Sequence, residues 1–245
     1  MKNRVIGVIM TFLLVVGMFP AVPIWAETST PTEKSEYDLN DGSITTTATA
    51  ISGVVQYEVV QGTENYVTTA DAITIKQTDS GIATTNTITI NVASGVTASA
   101  ILAGVNIAVS SDVAAALATS GEGDVVIELD GDNTLTSGKN HAGLEKNNTG
   151  KLVIKDDNGI NGTITATGGL NGAGIGGGNE SDGSNIIINS GTVTAQGGKN
   201  GAGIGGGAAK ENTTNSGNSN TATYENGIGS DIIINGGTVT ANGGH

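Results

Sequence analysis

The stretch Gly168-Gly169-Leu170-Asn171-Gly172-Ala173-Gly174-Ile175-Gly176-Gly177-Gly178 is written a second time, with one change, from Gly197 to Gly207, a step of 29 residues. A second stretch, Ile186-Ile187-Ile188-Asn189-Ser190-Gly191-Thr192-Val193-Thr194-Ala195, returns from Ile232 to Ala241, a step of 46. The difference of 17 falls in an insertion between Ala208 and Gly229. Repetition at this period confines the chain to architectures in which one small unit stacks on copies of itself. Each unit carries three strand-like pieces: an Ile-rich one, a Thr-apolar-Thr one and an Ala-Gly-Ile one. Weaker copies run backward through Leu152-Val153-Ile154, Thr163-Ile164-Thr165 and Ala173-Gly174-Ile175, then Ile127-Glu128-Leu129, Thr134-Leu135-Thr136 and Ala142-Gly143-Leu144. The Thr-apolar-Thr elements begin at 134, 163, 192 and 238. A still earlier coil is assigned to Ile88–Val92, Ile101–Ile107 and Ala114–Leu117.

This pattern predicts an all-β chain folded as a parallel, right-handed β-helix with three short strands per coil. Each short strand buries only one or two side chains, and stacking the same strand from successive coils pairs the backbone and makes a continuous core. A sandwich core recruits aromatic residues. Beyond residue 26 the chain has only Tyr37, Tyr57, Tyr66 and Tyr224. Glycine pairs supply positive φ at corners, and Asn189 and Asn235, at matching positions, predict an inward or turn-stacking asparagine ladder. Only Asp112–Thr119, with its alanines, reads as a helical turn.

The N-terminus has the order of an export signal: Lys2 and Arg4, the apolar run Val5–Val16, then Pro20, Pro23 and a cleavage site after Ala26. The expected division is a signal peptide over 1–26, a polar linker over 27–42, an N-terminal β region and cap over 43–87, and the repeat β-helix over 88–245, cut in mid-coil at its end. The chain is placed outside the cell or on a bacterial surface, with no transmembrane segment once the signal is cleaved. Loss of Lys2 and Arg4 with the signal takes the formal charge from −13 to −15. Such a surface repels nucleic acid and anionic lipid and attracts cations. There is no cysteine, so no disulfide or thiolate metal site contributes.

The run Ile127-Glu128-Leu129-Asp130-Gly131-Asp132-Asn133-Thr134-Leu135-Thr136-Ser137-Gly138, with Ala142-Gly143-Leu144-Glu145, Leu152-Val153-Ile154 and the two Gly-Ala-Gly-Ile-Gly-Gly-Gly copies, resembles a family of Firmicutes surface proteins, the carbohydrate-binding-domain-containing proteins. The likeness covers roughly residues 85 to 245. It implies a right-handed parallel β-helix that binds acidic plant polysaccharide and calcium.

Calcium needs clustered oxygen ligands. Asp130, Asp132 and Asn133 offer them at one expected turn, and Asp156-Asp157-Asn158 at the expected equivalent turn one coil later; the competing explanation is that turns favour Asp and Asn. Asp231, in Asn226-Gly227-Ile228-Gly229-Ser230-Asp231-Ile232-Ile233-Ile234, stands in a single near-copy of a nonapeptide that binds calcium only in tandem. Thr134, Thr136, Thr163, Thr165, Thr192, Thr194, Thr238 and Thr240 predict an outward hydroxyl array, with ice binding as a minor reading. Tyr224, in the insertion, is the expected ligand contact, set against a disordered polar loop. His141, in the turn Lys139-Asn140-His141, reads as an exposed bystander, and a lyase-type arginine base is missing because the one arginine is in the signal. The sequence therefore points to a non-enzymatic polysaccharide-binding scaffold with calcium as cofactor, and secondarily to a structural stalk or adhesin segment.

Overall fold

The computed structural model describes residues 34–244 except 111, 113, 217, 218 and 226; the signal-peptide reading lies outside the described residues. The chain is all-β, with one 3-10 turn at Leu39–Asp41 and no α-helix among the described residues. The strands are β1 (Glu36–Asp38), β2 (Ile44–Ile51), β3 (Val54–Gln61), β4 (Glu64–Thr68), β5 (Ile73–Lys76), β6 (Ile88–Val92), β7 (Thr97–Ala103), β8 (Asn106–Ala108), β9 (Leu117–Gly121), β10 (Asp124–Thr136) and β11 (Leu144–Lys146). They continue with β12 (Leu152–Lys155), β13 (Gly162–Thr167), β14 (Ile175–Gly176), β15 (Ile186–Ile188), β16 (Thr192–Gln196), β17 (Ile204–Gly205), β18 (Lys210–Ser216), β19 (Ser219–Glu225), β20 (Ile232–Ile234) and β21 (Thr238–Asn242). Among the described residues no helix is long and apolar enough to cross a membrane.

Most pairing is parallel and joins copies of the same repeat piece. The Ile-rich pieces lie in the order β1-β5-β7-β10-β12-β15-β20, the Ala-Gly-Ile pieces in the order β17-β14-β11-β9-β6-β2, and the Thr pieces as β10-β13-β16-β21 with β8 beside β10. β10 serves two of these ladders because Gly131, at φ +63°, bends it midway. Period-two alternation then sorts each ladder into inward and outward residues. Inward columns include Ala100-Ile127-Ile154-Ile188, Leu135-Ala166-Ala195 and Ile44-Ile88-Leu117-Leu144-Ile175, all buried.

Four expectations are revised. The polar linker is too long: β1 pairs with β5, and Tyr37 and Leu39 are fully buried. Aromatics do serve the core, since Tyr57 is also buried and Tyr37 meets Tyr66 edge-on at 5.5 Å. They sit towards the end of the sheets where the antiparallel strands β2-β3-β4 lie. The helical turn over Asp112–Thr119 is absent from Leu117 onward, where β9 pairs with β6 and β11. Finally, the equivalent of Thr134 is Thr165, and that of Thr136 is Thr167. The first half of β10 pairs at a step of 27 (Val125 with Leu152) and the second half at 31 (Gly131 with Gly162), so the 29-residue step there is only an average. The four extra residues emerge between Lys155 and Gly162.

Glycine in the third ladder is a packing requirement. A Cβ on Gly176, at φ +134°, would stand 2.0 Å from the Gly205 carbonyl oxygen. Neighbouring strands meet there backbone to backbone.

Candidate functional site

The outward residues of the Thr pieces form three straight columns. They are Asp132-Thr163-Thr192-Thr238, Asn106-Thr134-Thr165-Thr194-Thr240 and Ala108-Thr136-Thr167-Gln196-Asn242. Adjacent members stand one strand spacing apart, about 4.8 Å, and columns are about 7 Å apart along the strands. Their inward neighbours Ile164, Ala166, Val193 and Ala195 are fully buried, which locks the faces of β13 and β16 outward. The result is a mostly polar surface whose groups repeat from strand to strand.

The expected calcium ligands are placed as follows. Asp130, Asp132 and Asn133 lie inside β10, not at a turn, while Asp156-Asp157-Asn158 lie in the enlarged connection after β12. Asn133 points into the core and is 1% exposed. Its Oδ1 accepts from the Val105 N–H at 3.0 Å, and its Nδ2 donates to the carbonyls of Asp130, Gly131 and Thr163, so it joins three neighbouring segments and serves the core. Asp132 accepts from the Thr163 hydroxyl, Asp130 from the Asn158 amide, and Asp156 from the Gly162 N–H.

Asp157 already has a cation. The Lys155 ammonium lies 2.7 Å from Asp157 Oδ1 and 3.0 Å from Glu128 Oε2, and the other oxygen of Glu128 accepts the backbone N–H groups of Asp157 and Asn158. The bonds to Asp157 and Glu128 raise the Lys155 pKa, and those to Lys155 lower that of Asp157. Lysine therefore supplies locally the charge that a metal was expected to bring. Asp231 has φ +54° and its counterpart Asn185 has φ +58°, the left-handed conformation that Asn and Asp tolerate best. Backbone geometry accounts for both. Among the described residues no three His, Asp or Glu side chains are grouped to hold a metal ion.

The insertion is an antiparallel hairpin of β18 and β19, with Tyr224 opposite Glu211; the side chains of residues 210–226 lie outside the described part of the structure. The predicted asparagine ladder is present and solvent-facing, Asn235 Nδ2 donating to Asn189 Oδ1 at 2.8 Å. A longer one was missed: Asn200 donates to Asn171, Asn171 to Asn140, and Asn140 to Asp112, at 2.7–2.8 Å.

His141 is half-buried, not exposed. Its Nδ1 lies 2.9 Å from Glu145 Oε2, which also accepts the Ala142 N–H, while Oε1 accepts from Asn147. Glu145 and Lys146 are both nearly buried, at 8% and 6% exposure. The signal for this pair was available in the repeat: Glu145 pairs with Gly176, which pairs with Gly205, so charge replaces glycine in one coil only. The Lys146 ammonium donates to the Asn148 carbonyl at 2.6 Å, and burial lowers its pKa. Asn148 is itself fixed by the Thr119 hydroxyl and the Gly123 carbonyl. Lys146, Asn147, Asn148 and Thr149 form one wall of a surface cavity of about 410 Å³, and Ser181, Asp182, Ser184 and Asn185 form the other.

No protein-family model, no curated protein and no solved structure matches the chain.

Proposed function

We propose that residues 88–244 form a parallel, right-handed β-helix with three short strands per coil, exported by the signal over 1–26 and working outside the cell or at its surface as a non-enzymatic scaffold for acidic polysaccharide. The observation that carries this reading is the in-register alignment of outward hydroxyl and amide groups on β10, β13, β16 and β21. A polymer presents the same groups again and again, and a face whose donors and acceptors repeat at fixed intervals meets many units of it at once, so weak contacts add. Hydroxyls and carboxamides bind sugars without exchanging protons at neutral pH, which favours binding over catalysis. Calcium enters as a bridge between polymer carboxylates and exposed acids such as Asp132, with the ion completing its shell from both partners.

The test is retention of the purified protein on a polysaccharide array, with calcium and with chelator. Binding to polyuronates is the expected result. No binding in either condition overturns the reading, and identical binding in both removes calcium from it. A structural stalk is the second reading, favoured by the two side-chain amide ladders that run between coils, since these reinforce the stack without presenting a ligand. Thermal hysteresis of the solution, or release of unsaturated product from polygalacturonate, would instead point to an ice binder or a lyase.

A further inference from the structure

We infer that the cavity between Lys146 and Asn185 is a binding site for a carboxylate-bearing ligand of the size of one sugar acid. This deepens the polysaccharide reading by naming a monomer site, and it stands on the architecture of one coil. Lys146 occupies an inward column whose earlier members are Thr46, Ile90 and Thr119. No later strand continues the column: pairing of β11 with β14 stops at Glu145 and Gly176, and Ser181, Asp182, Ser184 and Asn185 form the opposite wall of the cavity.

A buried ammonium in that position is costly unless it is paired. Lys146 has three donors, one of which reaches the Asn148 carbonyl; the Asp124 carboxylate raises its pKa, but by less than burial lowers it, and among the described residues no carboxylate oxygen lies within 4.0 Å of the ammonium. Methionine or leucine would fill the same column without that cost. The remaining donors and the positive charge are complementary to a carboxylate, and the lowered basicity of Lys146 would be reversed by one. The rest of the cavity suits hydroxyl groups. Thr149 and Asn185 line it, and neither uses its side chain in an intramolecular hydrogen bond among the described residues. Asp182, the acid on the rim, is engaged by the Ile228 N–H at 2.7 Å. A volume of about 410 Å³ lies in the range of small-ligand sites, about 300–1,000 Å³.

The site also resolves an electrostatic difficulty. A strongly acidic protein repels a polyanion, and a single desolvated cation inside a cavity attracts one carboxylate far more strongly than an exposed lysine does.

The experiment titrates the full chain with galacturonate and with galactose by calorimetry, using wild type, Lys146→Met and Lys146→Gln, and repeats the titration with polygalacturonate. Saturable binding of galacturonate at least tenfold tighter than galactose is expected, with a loss of tenfold or more in both variants. NMR titration of the Lys146 side chain should show its pKa rising when galacturonate is bound. The melting temperature of Lys146→Met should match or exceed that of wild type, which separates a ligand role from a structural one; if that variant does not fold, Lys146→Gln and the NMR titration decide. Equal affinity for the two sugars, no saturable galacturonate binding, or unchanged binding in the variants overturns the site. Polygalacturonate bound equally by wild type and variants rejects the cavity but keeps the scaffold reading. Galacturonate bound without the polymer keeps the cavity and rejects the scaffold reading.

Discussion

The two ends of the described chain solve the same problem with different materials. At the N-terminal end, antiparallel strands β2-β3-β4 cover the stack, and the interior is filled by Tyr37, Leu39, Tyr57 and a set of isoleucines. From β13 onward the interior has no aromatic residue and is filled by Ile164, Ile175, Ile186, Ile188, Val193, Ala166 and Ala195, with glycines that touch backbone to backbone, while order between strands is reinforced by asparagine ladders. Both ends bury apolar area; the first adds bulky tyrosines to it, and the second adds side-chain hydrogen bonds repeated along the stack. Area burial is the stronger agent, because a neutral hydrogen bond in water contributes only about 0.5–1.5 kcal/mol net. The N-terminal end should therefore be the last part to open.

Tyr57→Ala strikes that end hardest. It empties a fully buried aromatic site and strips the Ser99 N–H of the hydroxyl it donates to at 2.8 Å, and denaturant unfolding should show a loss of about 3–5 kcal/mol. Hydrogen exchange should then no longer be slowest in β2, β6 and β9; if it is, apolar filling is not the source of the difference. Asn133→Ala attacks the middle, where one side chain joins three neighbouring segments, and should cost about 1–3 kcal/mol through the Val105 N–H and the carbonyls it leaves bare.

A further effect appears only in alkali. Burial, with the neighbouring Tyr66, pushes the Tyr37 hydroxyl up to about 12, against 10.0 for a free tyrosine. The folded state thus favours the neutral phenol, so the contribution of Tyr37 is complete below pH 10 and disappears as pH rises towards 12. Tyr37→Phe should flatten the fall of melting temperature across that window. The smallest change is expected from Asn171→Ala, which cuts the ladder at its centre: about 0.5–1.5 kcal/mol, felt as faster exchange in β14 and β17 with β2 and β6 unmoved. A uniform change along the whole chain would mean that the two ends unfold as one body.

Strand positions were legible in the sequence wherever Ile, Val and Thr alternate, because that alternation is itself the consequence of a two-sided strand. The pairing of Thr163 with Thr192 and of Ile186 with Ile232 could be read directly from the repeats. Thr134 could not be placed, because copies weak in sequence left a two-residue ambiguity that the enlarged connection after Lys155 resolves. Turn-favouring composition also misled: Asp130-Gly131-Asp132-Asn133 looks like a loop, yet Gly131 lets it bend while staying paired on both sides. Burial of Glu145 and Lys146 was hidden for a related reason. Periodicity assigns charge to the outside, whereas Lys146 stands in an inward column beside Thr119 that no later strand continues.

The enlarged connection has one more consequence. Two nearly identical eleven-residue segments, differing at Leu170 and Lys199, offer a growing stack two almost equivalent seats, and a coil docked in the wrong one would satisfy nearly the same hydrogen bonds. The four-residue excess after Lys155, the hairpin of β18 and β19, and the lone Glu145-Lys146 pair have no duplicates in neighbouring coils. They are the features by which otherwise similar segments differ, and a register shift would place each of them against the wrong neighbour.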